Sequence, residues 1–335
     1  MKNITQDDRK AEMKEITDRL ENGIKELFDS EHYKEYLKVL SKFHKYSFNN
    51  TMLIAIQNPN ASYVAGYNTW KRLGRYVNKG EKGIRILAPA PIKRKIEQTV
   101  IKDGVPVTEE KEVTIPVYKP VSVFDISQTA GKEITDISPQ MLNGDIENYK
   151  DFFMALEKVS PVPITFESIE GNAHGYFHLT ENRIAIDKGM SNLQNIKTVI
   201  HEIAHAKLHS IDPEHVSDAG RPDRRTREVQ AESVAYAVCQ HYGLDTSDYS
   251  FSYVANWSNG QELTELKNSL ETIRSAASEL INEIDNNFVE LAKNKETVGR
   301  ASVLGKLSAN KELIDQCKKR DNNVSERAGE ERRCR

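Results

Sequence analysis

Apolar side chains recur at helical spacing near both ends of the chain. Between residues 5 and 45 they stand three or four positions apart, with Lys and Glu between them, and this predicts a packed helical hairpin; they are Ile16, Leu20, Ile24, Leu27, Tyr36, Leu37, Leu40 and Phe43. A similar series from Leu263 to Phe288 predicts a long amphipathic helix. Packing of this helix on the same chain is the default, and pairing with a second copy is the alternative.

The middle of the chain shows strand patterns separated by turn signals. Short helices are predicted at residues 46–59 and 148–159, and residues 96–113 are typical of a hairpin between strands. Pro116 favours an edge position for the strand that contains it. The predicted strands are residues 84–87, 114–118, 121–124, 164–167, 175–179 and 183–187. Runs of helices and runs of strands in this order predict the α+β class.

A helix predicted over residues 198–209 carries the sequence His-Glu-Ile-Ala-His at 201–205, which is an HExxH pattern. Residues four apart lie on one helix face, so both imidazoles point the same way, and this spacing suits two ligands of one tetrahedral Zn²⁺. Glu202 lies beside the metal and can serve as general base for water there. Asn195 offers a possible N-cap before the motif.

A third ligand is required, and the next helical stretch, residues 226–239, offers two carboxylates. Glu228 and Glu232 stand four apart on one face. One can bind zinc and the other can accept the free ring N–H of a ligand histidine, but spacing alone does not assign the roles. His209 can also reach the site, although an ordinary helix-end histidine is the favoured interpretation. The alternative to a metal site is a surface helix with coincidental His and Glu.

This order of motifs resembles the ImmA/IrrE-like metallopeptidases and, more broadly, the glutamate-liganded zincins. In that family the first acidic residue binds the metal and the residue four positions later supports a ligand. The resemblance implies His201, His205 and Glu228 as zinc ligands, Glu232 as the support, and hydrolysis of a peptide bond as the reaction. Glu232 departs from the Asn or Asp that is more frequent at this position.

Charge is distributed unevenly along the chain. The net charge is −3, which excludes a uniformly basic nucleic-acid binder, but residues 60–95 hold nine basic residues against the single acid Glu81. Four aromatic residues are interleaved with these charges. Basic groups hold phosphates, and aromatic faces stack unpaired bases. The predicted DNA-binding residues are Tyr63, Tyr67, Trp70, Lys71, Arg72, Arg75, Tyr76, Lys79, Lys82 and Arg85. The alternative is that Trp70 and Tyr67 are core residues and the lysines form a solvated face.

Three stretches in this half occur in a distinctive order: YSFNNTMLI from residue 46, GYNTWKRLGRYVNKGEKGIRILAP from residue 66, and PVSVFDISQTAGKE from residue 120. Over roughly residues 8–135 the chain closely resembles the N-terminal domain of ArdC-type antirestriction proteins, which conjugative plasmids and other mobile elements encode. In that family the N-terminal domain binds single-stranded DNA and the C-terminal domain is a zincin-like metallopeptidase. The resemblance therefore implies both activities for this chain.

The remaining features concern compartment and organisation. Three cysteines, no apolar run of 18 residues and no signal-peptide pattern predict a cytoplasmic protein without a membrane partner. The expected organisation is a single-stranded-DNA-binding domain (1–135), a linker (136–146), a zincin-like metallopeptidase domain (147–258), an amphipathic helix (259–298) and a charged flexible tail (299–335).

The sequence thus predicts a single-stranded-DNA-binding protein with a zinc metallopeptidase domain, whose protein substrate is unknown and which protects the incoming DNA of a mobile element from restriction. Two alternatives remain open. The zincin domain could be catalytically silent, or the chain could be an ImmA-like protease that cleaves a repressor. The intact Glu202 argues against a silent site, since a purely structural metal does not need it.

Overall fold

The computed structural model of the chain describes residues 6–102, 105–134, 146–210, 221–288 and 290–291. The predicted tail at 299–335, and the predicted linker except for residue 146, lie outside these residues. By its internal contacts the chain divides into one compact unit of residues 1–282 and a second of residues 283–335. All elements below belong to the first unit; in the second, residues 283–288 are helical.

Three helices begin the chain: α1 (Gln6–Glu26), α2 (Ser30–Phe43) and α3 (Phe48–Gln57). Asp29 begins α2 by accepting hydrogen bonds from the backbone N–H groups of Glu31 and His32. The apolar stripes predicted from the sequence are buried, at Ile16, Leu20, Ile24, Leu27, Tyr36, Leu37, Leu40 and Phe43. The helical pattern of this region is therefore confirmed.

The strands of the first half form three small sheets. The elements are β1 (Val64–Gly66), α4 (Tyr67–Arg72), β2 (Arg75–Val77), β3 (Ile84–Pro89), β4 (Ile92–Lys102), β5 (Val105–Ile115), β6 (Tyr118–Asp125) and β7 (Thr129–Gly131). β6 is the centre of an antiparallel sheet with the order β1-β6-β3, β2 pairs with β7, and β4 pairs with β5 as the predicted hairpin. The prediction of one strand across residues 114–118 is wrong, because β5 ends at Ile115 and β6 begins at Tyr118. Pro116 lies between them, and it has no N–H to donate to a sheet.

The second half places three strands among helices. Its elements are α5 (Ile146–Val159), β8 (Ile164–Glu167), β9 (Gly175–His178), β10 (Arg183–Asp187), α6 (Asn192–His209), α7 (Arg224–His241), α8 (Val254–Ser258) and α9, which is helical over 263–282. The sheet order is β8-β10-β9, with β8 parallel and β9 antiparallel to the central strand. β9 is therefore an edge strand.

Helix α6 packs against the sheet at β9 and β10. The approach is close at Gly175, where an added Cβ would lie 2.6 Å from Cγ2 of Thr198. The N-cap of α6 is Ser191, whose side chain accepts from the backbone N–H of Gln194. The predicted Asn195 cap is wrong, since the helix begins one turn earlier and Asn195 is buried within it.

Helix α7 contacts elements from both halves of the chain. Tyr33 of α2 lies 2.8 Å, hydroxyl to hydroxyl, from Ser233, and the ring of His241 lies 2.7 Å from the carbonyl oxygen of Ser41. Along α9 the apolar positions Leu266, Leu270, Ile273, Ala277 and Leu280 are buried. The helix predicted near the C-terminus thus packs on its own chain, and the class is α+β as predicted. The predicted domain boundaries remain a prediction.

Of the helices that the structure describes, none has the length and apolar character needed to cross a membrane.

Candidate metal centre and candidate DNA-binding surface

Two histidines of α6 and a glutamate of α7 converge at one point. The Nε2 atoms of His201 and His205 are 3.1 Å apart, and Oε2 of Glu228 lies 3.7 Å from the first and 3.5 Å from the second. Ligands about 2.0–2.1 Å from a tetrahedral Zn²⁺ are separated by about 3.4 Å, so the three atoms fit three corners of such a site. Two imidazoles and one carboxylate are also a donor set that zinc prefers.

The electrostatics of this cluster agree with a site for a cation. The pKa of Glu228 is held well below its usual range, chiefly by hydrogen bonds from His201 and His205. Burial disfavours a charged His201, but the hydrogen bond with Glu228 and the nearby carboxylates prevail and raise its pKa. An ionised Glu228 therefore faces two imidazole nitrogens, and a bound metal ion would replace the protons that join them.

Glu202 lies one position away from a predicted ligand and is buried, with 6 % of its surface exposed. Burial raises its pKa, although His201, His205 and a hydrogen bond from the backbone N–H of Phe177 oppose the rise. A carboxyl group with a raised pKa is suited to taking and returning a proton near neutral pH. The bond from Phe177 also links this carboxyl group to edge strand β9.

His205 is supported by a chain of hydrogen bonds behind it. Its Nδ1 lies 2.9 Å from Nδ1 of His209, whose Nε2 lies 2.9 Å from Oε1 of Gln230. The amide nitrogen of Gln230 donates to Ser269 of α9 at 3.4 Å. Since burial lowers the pKa of His209 to about 4, the ring is neutral: it accepts from His205 and donates to Gln230. The sequence left open that His209 reaches the site but favoured an ordinary helix-end histidine, and the structure places its ring in contact with His205.

Glu232 does not have the geometry predicted for it. It lies near the cluster and shares a cavity wall with His201 and Glu202. However, among the described hydrogen bonds none joins Glu232 to either histidine ring, and the bond to a predicted ligand ring comes from His209 instead. Burial raises the pKa of Glu232. In this geometry Glu232 interacts with His201 through its charge without a hydrogen bond, and its role in supporting a ligand histidine remains a prediction.

Two cavities flank the cluster. The first, about 310 Å³, is lined by Glu232, Lys197, Asp248 and Tyr249 in addition to His201 and Glu202. The second, about 370 Å³, is lined by residues of β9 and by Arg221, Arg224 and Arg227 in addition to both histidines, Glu202 and Glu228. Both cavities are lined by Gly175 of edge strand β9 and by His201 and Glu202, and together they are called the cleft below.

The structure separates the predicted DNA-binding residues into two groups, and the first is structural. Trp70 has no exposed surface, and its indole N–H donates to the carbonyl oxygen of Phe124 at 2.9 Å. Tyr63 packs edge to face against it, with ring centroids 5.4 Å apart. A base cannot stack on a ring that is fully buried, so the prediction that Trp70 stacks on bases is wrong and the core alternative holds.

Two of the predicted arginines are also engaged within the protein. The guanidinium group of Arg75 donates to the hydroxyl and carbonyl oxygens of Thr129 and to the carbonyl oxygen of Lys132, at 2.8, 2.9 and 2.6 Å, which ties β2 to β7. Arg85 forms an ion pair with Glu12 and a hydrogen bond of 3.3 Å with Ser122. These hydrogen bonds and the ion pair stabilise the fold, and they leave few N–H groups of the two arginines free to bind a phosphate.

The second group lies at the surface. The exposed fractions of Tyr67 and Tyr76 are 58 % and 62 %. The four remaining basic residues of the prediction are exposed as well: Lys71, Arg72, Lys79 and Lys82. None of these six residues forms an ion pair with the described part of the chain. These six residues are called the basic aromatic surface below.

Asp125 organises the loops next to this surface and was not singled out from the sequence. One carboxylate oxygen accepts from the backbone N–H groups of Ser62 and Tyr63 at 2.7 and 3.0 Å, and the other accepts from the backbone and hydroxyl of Ser127. Burial opposes its ionisation, but these bonds prevail and lower its pKa. The available signal in the sequence was an aspartate between two apolar residues, Phe124 and Ile126.

The helix pair, the edge strand and the cluster of two histidines and one glutamate define a metallopeptidase-like domain. Comparison with known families agrees: residues 158–243 match the IrrE N-terminal-like domain, and residues 6–124 match the N-terminal domain of the anti-restriction factor ArdC. The two matches lie in the order that the sequence predicted, the first in the N-terminal half of the chain and the second in the C-terminal half.

Individual relatives are similar over much of the chain. An uncharacterized protein of Bacillus anthracis is 31 % identical over 329 residues, covering 87 % of this chain, while the chain spans 54 % of that protein. The crystal structure of the metal-free antirestriction ArdC protein from plasmid R388 is 23 % identical, with a TM-score of 0.46, over 73 % of this chain and 86 % of its own. For its Mn(II)-bound structure the values are 22 %, 0.45, 72 % and 85 %.

Proposed function

We propose that the chain is a zinc metallopeptidase joined to a single-stranded-DNA-binding domain, and that it protects the incoming DNA of a mobile element from restriction in the recipient cytoplasm. The observation that carries the peptidase proposal is the convergence of His201, His205 and Glu228 beside the buried Glu202. Three ligands leave one position open, as catalytic zinc sites do and structural sites do not.

His201, His205 and Glu228 would hold the metal, and a bound Zn²⁺ would supply Lewis-acid activation of water and of the peptide carbonyl. Glu202 takes the proton of the attacking water and returns it to the leaving amine. Its raised pKa suits both steps, because burial favours the protonated form that must act as the acid. His209 and Gln230 keep the ring of His205 in one tautomer and orientation.

Edge strand β9 positions the peptide. Its free side has no strand partner in the described sheet, and the backbone N–H of Phe177 already faces Glu202. An extended peptide can pair with such an edge through main-chain hydrogen bonds, and the scissile bond then passes the cluster. Because a strand edge pairs with the main chain of an extended peptide, its position beside the cluster supports a peptide as the substrate class.

The DNA-binding proposal rests on the basic aromatic surface. Lysine and arginine side chains that have no ion-pair partner among the described residues can hold phosphates, and the exposed rings of Tyr67 and Tyr76 offer faces on which unpaired bases stack. Stacking requires single strands, so this surface favours single-stranded over duplex DNA. The match of residues 6–124 to the ArdC N-terminal domain supports the same proposal.

The decisive experiment is Glu202→Gln in the full chain. Glutamine keeps the size of the side chain and removes the base, so zinc content and DNA affinity should stay at the wild-type level while cleavage of a peptide library is lost. A matched control is Glu133→Gln, an exposed carboxylate outside the site. Cleavage by the Glu202→Gln protein at the wild-type rate would rule out Glu202 as the base.

The silent-zincin alternative is tested with the same proteins. If the wild-type chain binds one zinc but cleaves no peptide, and if protection of DNA in cells survives Glu202→Gln, protection comes from DNA binding alone. If protection is lost with Glu202→Gln while DNA affinity is unchanged, peptide hydrolysis contributes to the protection of DNA. A repressor as the specific substrate would appear as cleavage of one host or element protein in the wild-type lysate.

A further inference from the structure

The larger cavity of the cleft is unusually basic. Arg221, Arg224 and Arg227 line it, and the carboxylates among its lining residues are Glu202 and Glu228. The proposed function assigns both of these carboxylates to the metal site. Within the described part of the chain, none of the three arginines forms an ion pair with a carboxylate. Among the described residues, the cavity therefore presents three guanidinium groups without a counter-charge of their own.

The donors of these arginines are only partly used. Arg224 is exposed in the first turn of α7. Arg227 donates one N–H to the carbonyl oxygen of Pro222 at 2.8 Å. Arg221 donates to the carbonyl oxygen of His209 at 3.1 Å, while its Nε is buried without a hydrogen-bond partner. Guanidinium groups with free donors match planar carboxylates, which accept two parallel hydrogen bonds.

The same cavity borders the edge strand. Gly175, Tyr176 and Phe177 of β9 line it together with the arginines. When a peptide pairs with a strand edge, alternate side chains point to the same side and enter whatever pocket lies there. A side chain of the bound peptide would therefore lie between β9 and the first turn of α7, next to the cluster.

We propose that this cavity is a specificity subsite that accepts an Asp or Glu side chain of the peptide substrate beside the scissile bond. The inference rests on the proposed peptidase function. A peptide fits this place better than a nucleic acid, because the strand edge that forms one wall offers main-chain partners that only a peptide matches. Preference for an acidic side chain follows from the three guanidinium groups of the cavity, which have no carboxylate partner in the part of the chain that the structure describes.

The test begins with the zinc-loaded full chain and a proteome-derived peptide library, with cleavage sites read by mass spectrometry. The best-cleaved peptide is then made in three versions, with Glu, Gln or Lys at the enriched position. We expect the Glu version to exceed the Gln version by about tenfold in kcat/KM, since the Gln side chain cannot form the charge-assisted hydrogen bond. Arg224→Glu should reverse the order and favour Lys. Arg225→Glu, its exposed neighbour outside the cavity, is the matched control and should keep the Glu preference.

A second readout does not depend on hydrolysis. Fluorescein-labelled degenerate peptide pools rich in Glu or in Gln are titrated against the zinc-loaded Glu202→Gln protein, alone and combined with Arg224→Glu or Arg225→Glu. The Glu-rich pool should bind about tenfold tighter, and only Arg224→Glu should remove the difference. The zinc content of each protein is measured alongside, so that metal loss is recognised.

The outcomes separate the two proposals. Cleavage without any preference for acidic residues, or a preference that Arg224→Glu and Arg225→Glu change equally, overturns the subsite and leaves the peptidase standing. Absence of cleavage together with an Arg224-dependent preference in the binding assay overturns the peptidase and keeps an acidic-peptide site. If Arg224→Glu lowers affinity for single-stranded DNA but does not alter peptide selectivity, the cavity binds phosphates and the subsite is wrong.

Discussion

The Nδ1 atoms of His205 and His209 lie 2.9 Å apart, one helical turn from each other on α6. With a metal ion on Nε2 of His205, its Nδ1 would carry the proton and donate a hydrogen bond to the neutral ring of His209. Gln230 and Ser269 continue this chain from α7 to α9. The orientation of one predicted ligand is thus linked to the packing of the C-terminal helix.

This relationship predicts the effect of removing His209. His209→Ala should lower zinc affinity by about 10–100-fold, because the ligand ring loses the acceptor that fixes its tautomer. His209→Asn, whose side-chain oxygen can accept near the position of Nδ1, should recover part of the affinity. Competition with a chromophoric chelator measures both. Wild-type affinity in His209→Ala would show that the hydrogen bond does not support the metal.

The two glutamates of α7 should differ in their effect on the metal. Glu228→Ala should weaken zinc binding far more than Glu232→Ala, because Glu228 lies within 3.7 Å of both histidine nitrogens whereas Glu232 makes no hydrogen bond with either among the described residues. His205→Ala should abolish stoichiometric zinc. Elemental analysis after dialysis gives the ranking. A larger loss with Glu232→Ala would move the third ligand to that residue.

The basic aromatic surface predicts two separable effects on DNA. Tyr76→Ala should weaken single-strand binding by about 1–3 kcal/mol and leave the salt dependence nearly unchanged, because stacking involves no counterion release. Replacing Lys79 and Lys82 by Gln should lower the slope of log affinity against log salt by about 0.7 for each phosphate that the variant no longer neutralises. Fluorescence anisotropy over a salt series measures both quantities.

Two further variants serve as controls for these measurements. Trp70→Ala should destabilise the fold by about 3–5 kcal/mol rather than alter stacking, since the ring is fully buried. Lys45→Gln, an exposed basic residue outside the surface, should leave the salt slope at its wild-type value. Equal affinity of the wild-type chain for single strands and duplex would leave only nonspecific attraction and contradict the stacking role.

Asp125 makes stability depend on pH. Asp125→Asn should cost about 1.5–3 kcal/mol at pH 7, because the amide nitrogen cannot accept the hydrogen bonds that both carboxylate oxygens now receive. The pKa of Asp125 is lowered in the folded state, so its contribution is present above the usual value of 3.8 and is lost as the pH falls through the folded-state pKa. Urea unfolding of both proteins at pH 7 and pH 3 should show the difference shrinking in acid, with Glu133→Gln as the surface control.

Much of the fold was predictable from local patterns. Helical spacing predicted α1, α2 and α9, and four-residue spacing predicted that His201 and His205 share a face. Alternation and turn residues predicted β3, the β4–β5 hairpin, β6 and β8 to β10, but not the three-residue strands β1, β2 and β7. These features depend on the periodicity of the backbone, which each segment carries by itself. Pro116 and Asn195 were misjudged because the exact ends of elements depend on caps and partners beyond the segment.

Only the tertiary structure decided which residues meet. Spacing left Glu228 and Glu232 equivalent, and the packing of α7 on α6 placed the first in the cluster and the second in the cleft wall. Composition could not distinguish the buried Trp70 from the exposed Tyr76, since both stand among the same charges. The sequence determined the chemical groups and their local faces, but contacts between distant segments, such as the one from His209 to Gln230, arise from packing that no local pattern encodes.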